Sequence, residues 1–167
     1  MSALHLKPVA AVALAATLIE LAGTHGAAAQ NVSGPMALAL AAVVAQHSPL
    51  VDAANKRIIA SLFAGDSKVA VPAGKTISVM ADSIVCRISN VEITARSCEL
   101  TFGSAKRNLK GREANELYAT LAAAGVASDG AAGSIFEGVM KLSCALDPAA
   151  IKMADGSGAT CEYAPKQ

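Results

Sequence analysis

With 14 basic and 13 acidic side chains in 167 residues, the chain carries a net charge of +1. A nearly neutral chain has no global field to draw it to nucleic acid or to an anionic membrane. Three Phe, two Tyr and no Trp leave a core of Ala, Val, Leu, Ile and Met, which is thin and gains from crosslinks.

Residues 1–29 read as a cleavable export signal. Met1 to Lys7 carries one base and no acid, Pro8 to Leu21 is an apolar run blemished only by Glu20, and Gly23 to Ala29 is small and polar. Ala27-Ala28-Ala29 fits the small-x-small rule and sets the cut before Gln30. The apolar run is shorter than the roughly 20 residues that span a bilayer, and no Cys near the cut offers a lipid anchor. The expectation is therefore a periplasmic or secreted protein with no transmembrane span in its mature form. Removing residues 1–29 from the 167 leaves 138, one domain of ordinary size. Lys7 and Glu20 leave together, so the charge stays at +1. His5 and His25 also leave, and His47 alone remains.

Gln30 to Gly34 is a short polar lead-in, and residues 30–66 read as a helical N-terminal segment. Pro35 opens a run of helix formers from Met36 to Gln46. Ser48-Pro49 reads as a restart, with Ser as N-cap and Pro at the first helical position. Leu50, Ala53, Ala54, Arg57, Ile58, Ser61 and Leu62 follow at helical spacing, and Gly65 reads as the C-cap. Residues 36–64 are thus one kinked helix or two in tandem. The apolar stretch 36–44 suits a buried core helix, or alternatively a face that docks on a partner or a membrane surface.

Residues 67–167 read as a disulfide-stabilised α+β domain. Val69 and Val71, then Ile77 and Val79, alternate as in strands, with a turn at Pro72-Ala73-Gly74. Ile84, Cys86 and Ile88 alternate next, and Ser89-Asn90 reads as a turn. Val91, Ile93 and Ala95 lie on one phase, and Cys98, Leu100 and Phe102 on the other, so a bulge is expected near Arg96-Ser97. Lys106, Arg107, Lys110 and Arg112 form a basic cluster. It is a solvated strand end and loop, or a site for an acidic partner. Arg112 to Ala124 is the clearest helix, with a stripe of Ala114, Leu117, Tyr118, Leu121, Ala122 and Ala124, acids at Glu113 and Glu116, and Gly125 to end it. Ala127 to Gly133 is a loop with a turn at Asp129-Gly130, and Ser134 to Met140 is a short helix or a strand. Leu142, Cys144 and Leu146 form a strand that Asp147-Pro148 stops. Lys152 to Ala159 is a turn region, Thr160 to Tyr163 a last strand, and Ala164 to Gln167 a loose tail. The expected architecture is an N-terminal helical segment, then an antiparallel sheet in the order ββ-α-ββ with one packed amphipathic helix.

Four cysteines in an exported chain predict two disulfides. Of three pairings, Cys86–Cys98 and Cys144–Cys161 are favoured, because each joins two neighbouring strand-like segments. Each bridge contributes about 3 kcal/mol by the chain-entropy model. The spacing lacks the C-x-x-C of a zinc knuckle or a redox pair. Asp155-Gly156-Ser157-Gly158 lacks the further acids of a calcium loop and the Gly-Lys-Ser/Thr of a P-loop. No metal or cofactor is implied. No G-x-S-x-G presents a serine, and His47 sits at a helix break near Asp52. These features favour a non-enzymatic binding or envelope-interaction module with a protein or envelope partner. A small hydrolase would have to work through His47 or a pair among Glu92, Glu99, Glu113 and Glu137.

Overall fold

The computed structural model describes residues 29–88, 95–126, 135–152 and 157–165. The elements are β1 (Gln30–Ser33), α1 (Pro35–His47), α2 (Ala53–Phe63), β2 (Ile77–Ala81), β3 (Ser83–Ile88), β4 (Ala95–Phe102), β5 (Ala105–Lys110), α3 (Gly111–Ala123), β6 (Ile135–Leu146), α4 (Pro148–Ala150) and β7 (Ala159–Pro165). The export segment, the Ser89-Asn90 turn and the Asp129-Gly130 turn lie outside the described residues, apart from Ala29.

The α+β expectation holds. The strands form one antiparallel sheet in the order β1-β7-β6-β3-β4-β5, with β2 also paired to β6. β2 and β3 are two halves of one line. Ile77 faces Leu146, Ala81 faces Leu142, and Ile84 continues the same register opposite Val139. Asp82 interrupts the line. Its backbone N–H donates to the Thr101 carbonyl at 2.8 Å, and its carboxylate accepts from the Gly103 N–H in the β4–β5 turn.

Alternation of side chains along the strands gives the sheet two different faces. Val79, Ile84, Cys86, Cys98, Leu100, Phe102, Leu142, Cys144, Leu146 and Cys161 are all buried on one face. α1 and α3 pack there, α1 against β7 and β2 and α3 against β4 and β5. α2 packs on α1 from outside.

α1 is therefore enclosed, and its sequence shows why it tolerates that position. A helix that is apolar all round is stable only when covered. Ala37, Leu38, Leu40 and every residue from Ala41 to Ala45 are buried. The alanines let neighbouring elements approach closely, while Leu40 and Val44 fill the space, each contributing about 1.5–3 kcal/mol on burial. Within residues 36–44 only Met36 and Ala39 are half-buried and the rest are buried, so the stretch packs in the core instead of presenting a free apolar face to a partner or a membrane.

The tandem helices are separate, and the second begins later than the sequence suggested. Asp52, not Ser48, is its N-cap, with the carboxylate accepting from the Asn55 N–H at 2.9 Å. Ser48 instead caps the end of α1 and is fully buried, its hydroxyl accepting from the Leu50 N–H at 3.2 Å. Leu50 consequently lies outside the helix and is 67 % exposed. Val69 and Val71 form no strand. Pro72 supplies no ladder donor and a turn follows at once, so the run is too short to pair. The Val69 carbonyl accepts from Lys152 Nζ at 3.0 Å instead.

Three further stretches are more regular than expected. The polar lead-in is β1, paired with β7. Ile135 to Met140 belongs to the twelve-residue strand β6. Ala164 and Pro165 extend β7 rather than forming a loose tail. α3 ends in a turn at Gly125, whose φ of +70° is a left-handed value that glycine adopts without strain.

Candidate functional site

Cys86–Cys98 and Cys144–Cys161 are the two disulfides, and no cysteine is free. In each, the cysteines are direct cross-strand partners, Cα 4.0 Å apart, on β3 and β4 and on β6 and β7. Both bridges lie on the helix-covered face. Cys98 Sγ contacts the Ala114 carbonyl at 3.5 Å, and Cys161 Sγ contacts the Ala37 carbonyl at 3.4 Å. Such buried staples mark a chain that matures in an oxidising environment. Among the described residues no helix is long and apolar enough to cross a membrane.

Among the described residues no helix packs on the opposite face of the sheet, which mixes polar side chains such as Arg87, Ser97, Glu99 and Asn108 with a few apolar ones such as Met80 and Val85. On it lies a depression of about 430 Å³, lined by Val85, Arg87, Ser97, Glu99, Asn108 and Lys110. The register explains the grouping. Arg87 faces Ser97, and Ser97 faces Lys110 across the next ladder. Glu99 faces Val85 on one side and Asn108 on the other in the adjoining row. Two strand spacings place Arg87 and Lys110 about 10 Å apart at Cα. Glu99 accepts a 2.9 Å ion pair from Lys106, and both partners are well exposed. That pair satisfies the acid of the depression. Arg87 and Lys110 have no ion-pair partner among the described residues.

The basic cluster of the sequence is thus divided. Lys106 and Lys110 point to the open face. Arg107 shares the phase of buried Leu109 and stands on the helix side, close enough to His47 to act on its charge. Arg112 is exposed in the first turn of α3. Alternation along β5 makes this separation unavoidable, because adjacent residues in a strand point to opposite faces. The same strand is a sheet edge, and its exposed cations guard that edge against pairing with another chain.

Arg87, Ser97 and Asn108 are the residues that sequence reading missed. The signal for two of them was present. Pairing Cys86 with Cys98 in an antiparallel register sets Arg87 opposite Ser97. The third needed the β4–β5 register, which no cysteine reports.

The described residues considered for hydrolysis are divided between the two sides of the sheet. Glu99 is on the open face with Lys106. Glu113 and Glu116 lie near His47 on the helix side and act on it through charge, with no hydrogen bond between them. Burial is the larger influence on His47 and holds its pKa below the ordinary imidazole value, against the upward pull of the two glutamates. Glu92 and the Glu137 side chain lie outside the described residues. Among the described residues no group of three or more His, Cys, Asp or Glu stands close enough to hold a metal ion.

Comparisons with protein-family models, with curated proteins and with solved structures returned no match.

Proposed function

We propose that this chain is exported to the periplasm or beyond the cell. There it acts as a non-enzymatic binding module whose contact surface is the open face of the sheet. The observation that carries the reading is the row Arg87–Ser97–Lys110 on a face that no helix of the described residues covers. The partner it fits is a protein or envelope component presenting paired carboxylates. Arg87 offers a planar fork for one carboxylate, Lys110 a point charge for a second, and Ser97 and Asn108 neutral hydrogen bonds between them. The one acid of the depression is held by Lys106 and does not repel such a ligand at full strength. Export is supported by the leader-like residues 1–29 and by the two bridges.

Exposed charge pairs contribute about 0–1 kcal/mol each. Reversing both Arg87 and Lys110 to Glu replaces two attractions by two repulsions, a mid-range loss of about 2 kcal/mol or roughly thirtyfold in affinity. Titration with a fluorescent oligoglutamate peptide at low salt tests this. The account expects salt-sensitive binding that the double reversal abolishes. Binding left unchanged by the reversal, or none at low salt, would sink the proposal.

A further inference from the structure

Resting on the export reading above, we infer that Gln30 becomes the N-terminal residue of the working chain and closes to a pyroglutamyl lactam, its carbonyl held by Tyr163. Three observations meet at this residue. The triplet Ala27-Ala28-Ala29 ends immediately before it. The sheet begins at the same place, because β1 starts at Gln30, which faces Tyr163 of β7. The Gln30 side chain is also anchored, since its Oε1 accepts a 2.5 Å hydrogen bond from the Tyr163 hydroxyl. Tyr163 is itself 5 % exposed, and its hydroxyl lies 3.2 Å from the Gly125 carbonyl. The oxygen that anchors β1 to β7 is therefore the oxygen of a cyclisable amide.

The chemistry needs no partner molecule. Cleavage of the Ala29–Gln30 bond turns the Gln30 nitrogen into a primary amine. That amine attacks its own Cδ, a bond forms between them, and the Cδ–Nε2 bond breaks. The leaving ammonia carries away a proton given up by the amine. Nothing is oxidised or reduced. A hydroxyl donating to Oε1 draws electron density from Cδ and stabilises the negative charge that develops on the oxygen. Oε1 remains as the lactam carbonyl and so remains an acceptor for the Tyr163 hydroxyl. Gln30 is exposed, which gives the ammonia a path to solvent. The product removes the α-ammonium charge from an edge strand only four residues long and gives that strand an end resistant to aminopeptidases.

The test is to express the full precursor with its own leader in a bacterium with a periplasm. The purified protein is then analysed by intact mass and N-terminal sequencing. The expected product runs from Gln30, keeps both disulfides, is lighter by one ammonia, and is blocked to sequencing until treated with pyroglutamyl aminopeptidase. A chain that begins at Gln30 with a stable free amine overturns the lactam and leaves the export reading intact. A chain cut at another bond does the same. An uncut chain retained in the cytoplasm overturns both. Tyr163→Phe, verified as folded by circular dichroism and intact disulfides, should lose ammonia several-fold more slowly. An unchanged rate overturns the role given to Tyr163.

Discussion

Removing one staple gives the most direct reading of how thin the core is. In Cys86→Ala/Cys98→Ala the lost bridge closes a loop of sequence separation 12, and in Cys144→Ala/Cys161→Ala one of 17. Chain entropy assigns each about 3 kcal/mol, and the difference in loop length changes that by only about 0.3 kcal/mol. The two loops do not overlap in sequence, so their contributions should add. Removing both then costs about 6 kcal/mol, which is comparable with the entire stability of many domains. For a domain of this size 1 kcal/mol moves the thermal midpoint by about 4 °C. Each paired substitution should therefore lower the midpoint by about 12 °C. Thermal unfolding followed by far-ultraviolet circular dichroism measures it. The quadruple variant should be largely unfolded at body temperature. If either single-bridge variant melted within about 2 °C of the parent, the entropic reasoning would be wrong. Unequal losses would point instead to what each bridge packs against, α3 at Ala114 or α1 at Ala37.

Other substitutions probe other parts of the account. Leu40→Ala, at a residue with no exposure, should cost about 2–5 kcal/mol. Leu50→Ala, at a residue 67 % exposed in the same apolar region, should stay within about 0.5 kcal/mol. Denaturant titration of the two variants separates core from surface. Gly158→Ala should destabilise by about 1–3 kcal/mol in the same assay, because its Cβ would lie 2.6 Å from the Asp147 carbonyl oxygen and 2.7 Å from the Ile151 nitrogen. His47 titrates below its ordinary value because burial disfavours the imidazolium. The unfolded chain then binds the proton more readily, so stability should fall as pH drops from the unfolded value near 6.5 through the lower folded one. Urea midpoints for His47→Gln should be flatter over that interval than those of the parent, and parallel curves would contradict this.

The parts of the fold legible in the sequence were those with strong local signals. The stripe of Leu117, Tyr118 and Leu121 marked α3 to within a residue at each end. The alternation around Cys86, Cys98, Cys144 and Cys161 marked four strands and both bridges. The failures came where tertiary context decides. Ser48-Pro49 has the chemistry of a helix start, yet burial of Ser48 at the end of α1 moves the start to Asp52. Gly158 does lie in a turn, as expected, but the sequence did not show that its missing side chain lets the backbone around α4 come close. The basic run around Lys106 to Arg112 looked like one patch because sequence proximity hides the two-sidedness of a strand. The depression on the open face draws its lining from three strands. Only the register between those strands assembles Arg87, Ser97 and Lys110, and a single chain states that register at its cysteines alone.

The central claim is that the uncovered sheet face is the working surface. Backbone amide chemical shifts recorded during titration with an oligoglutamate peptide test it most directly. The account predicts perturbations concentrated at Val85, Arg87, Ser97, Asn108 and Lys110, fading as salt is added and lost in Arg87→Glu/Lys110→Glu. Perturbations confined to α2 and α3, or none at any salt concentration, would contradict it.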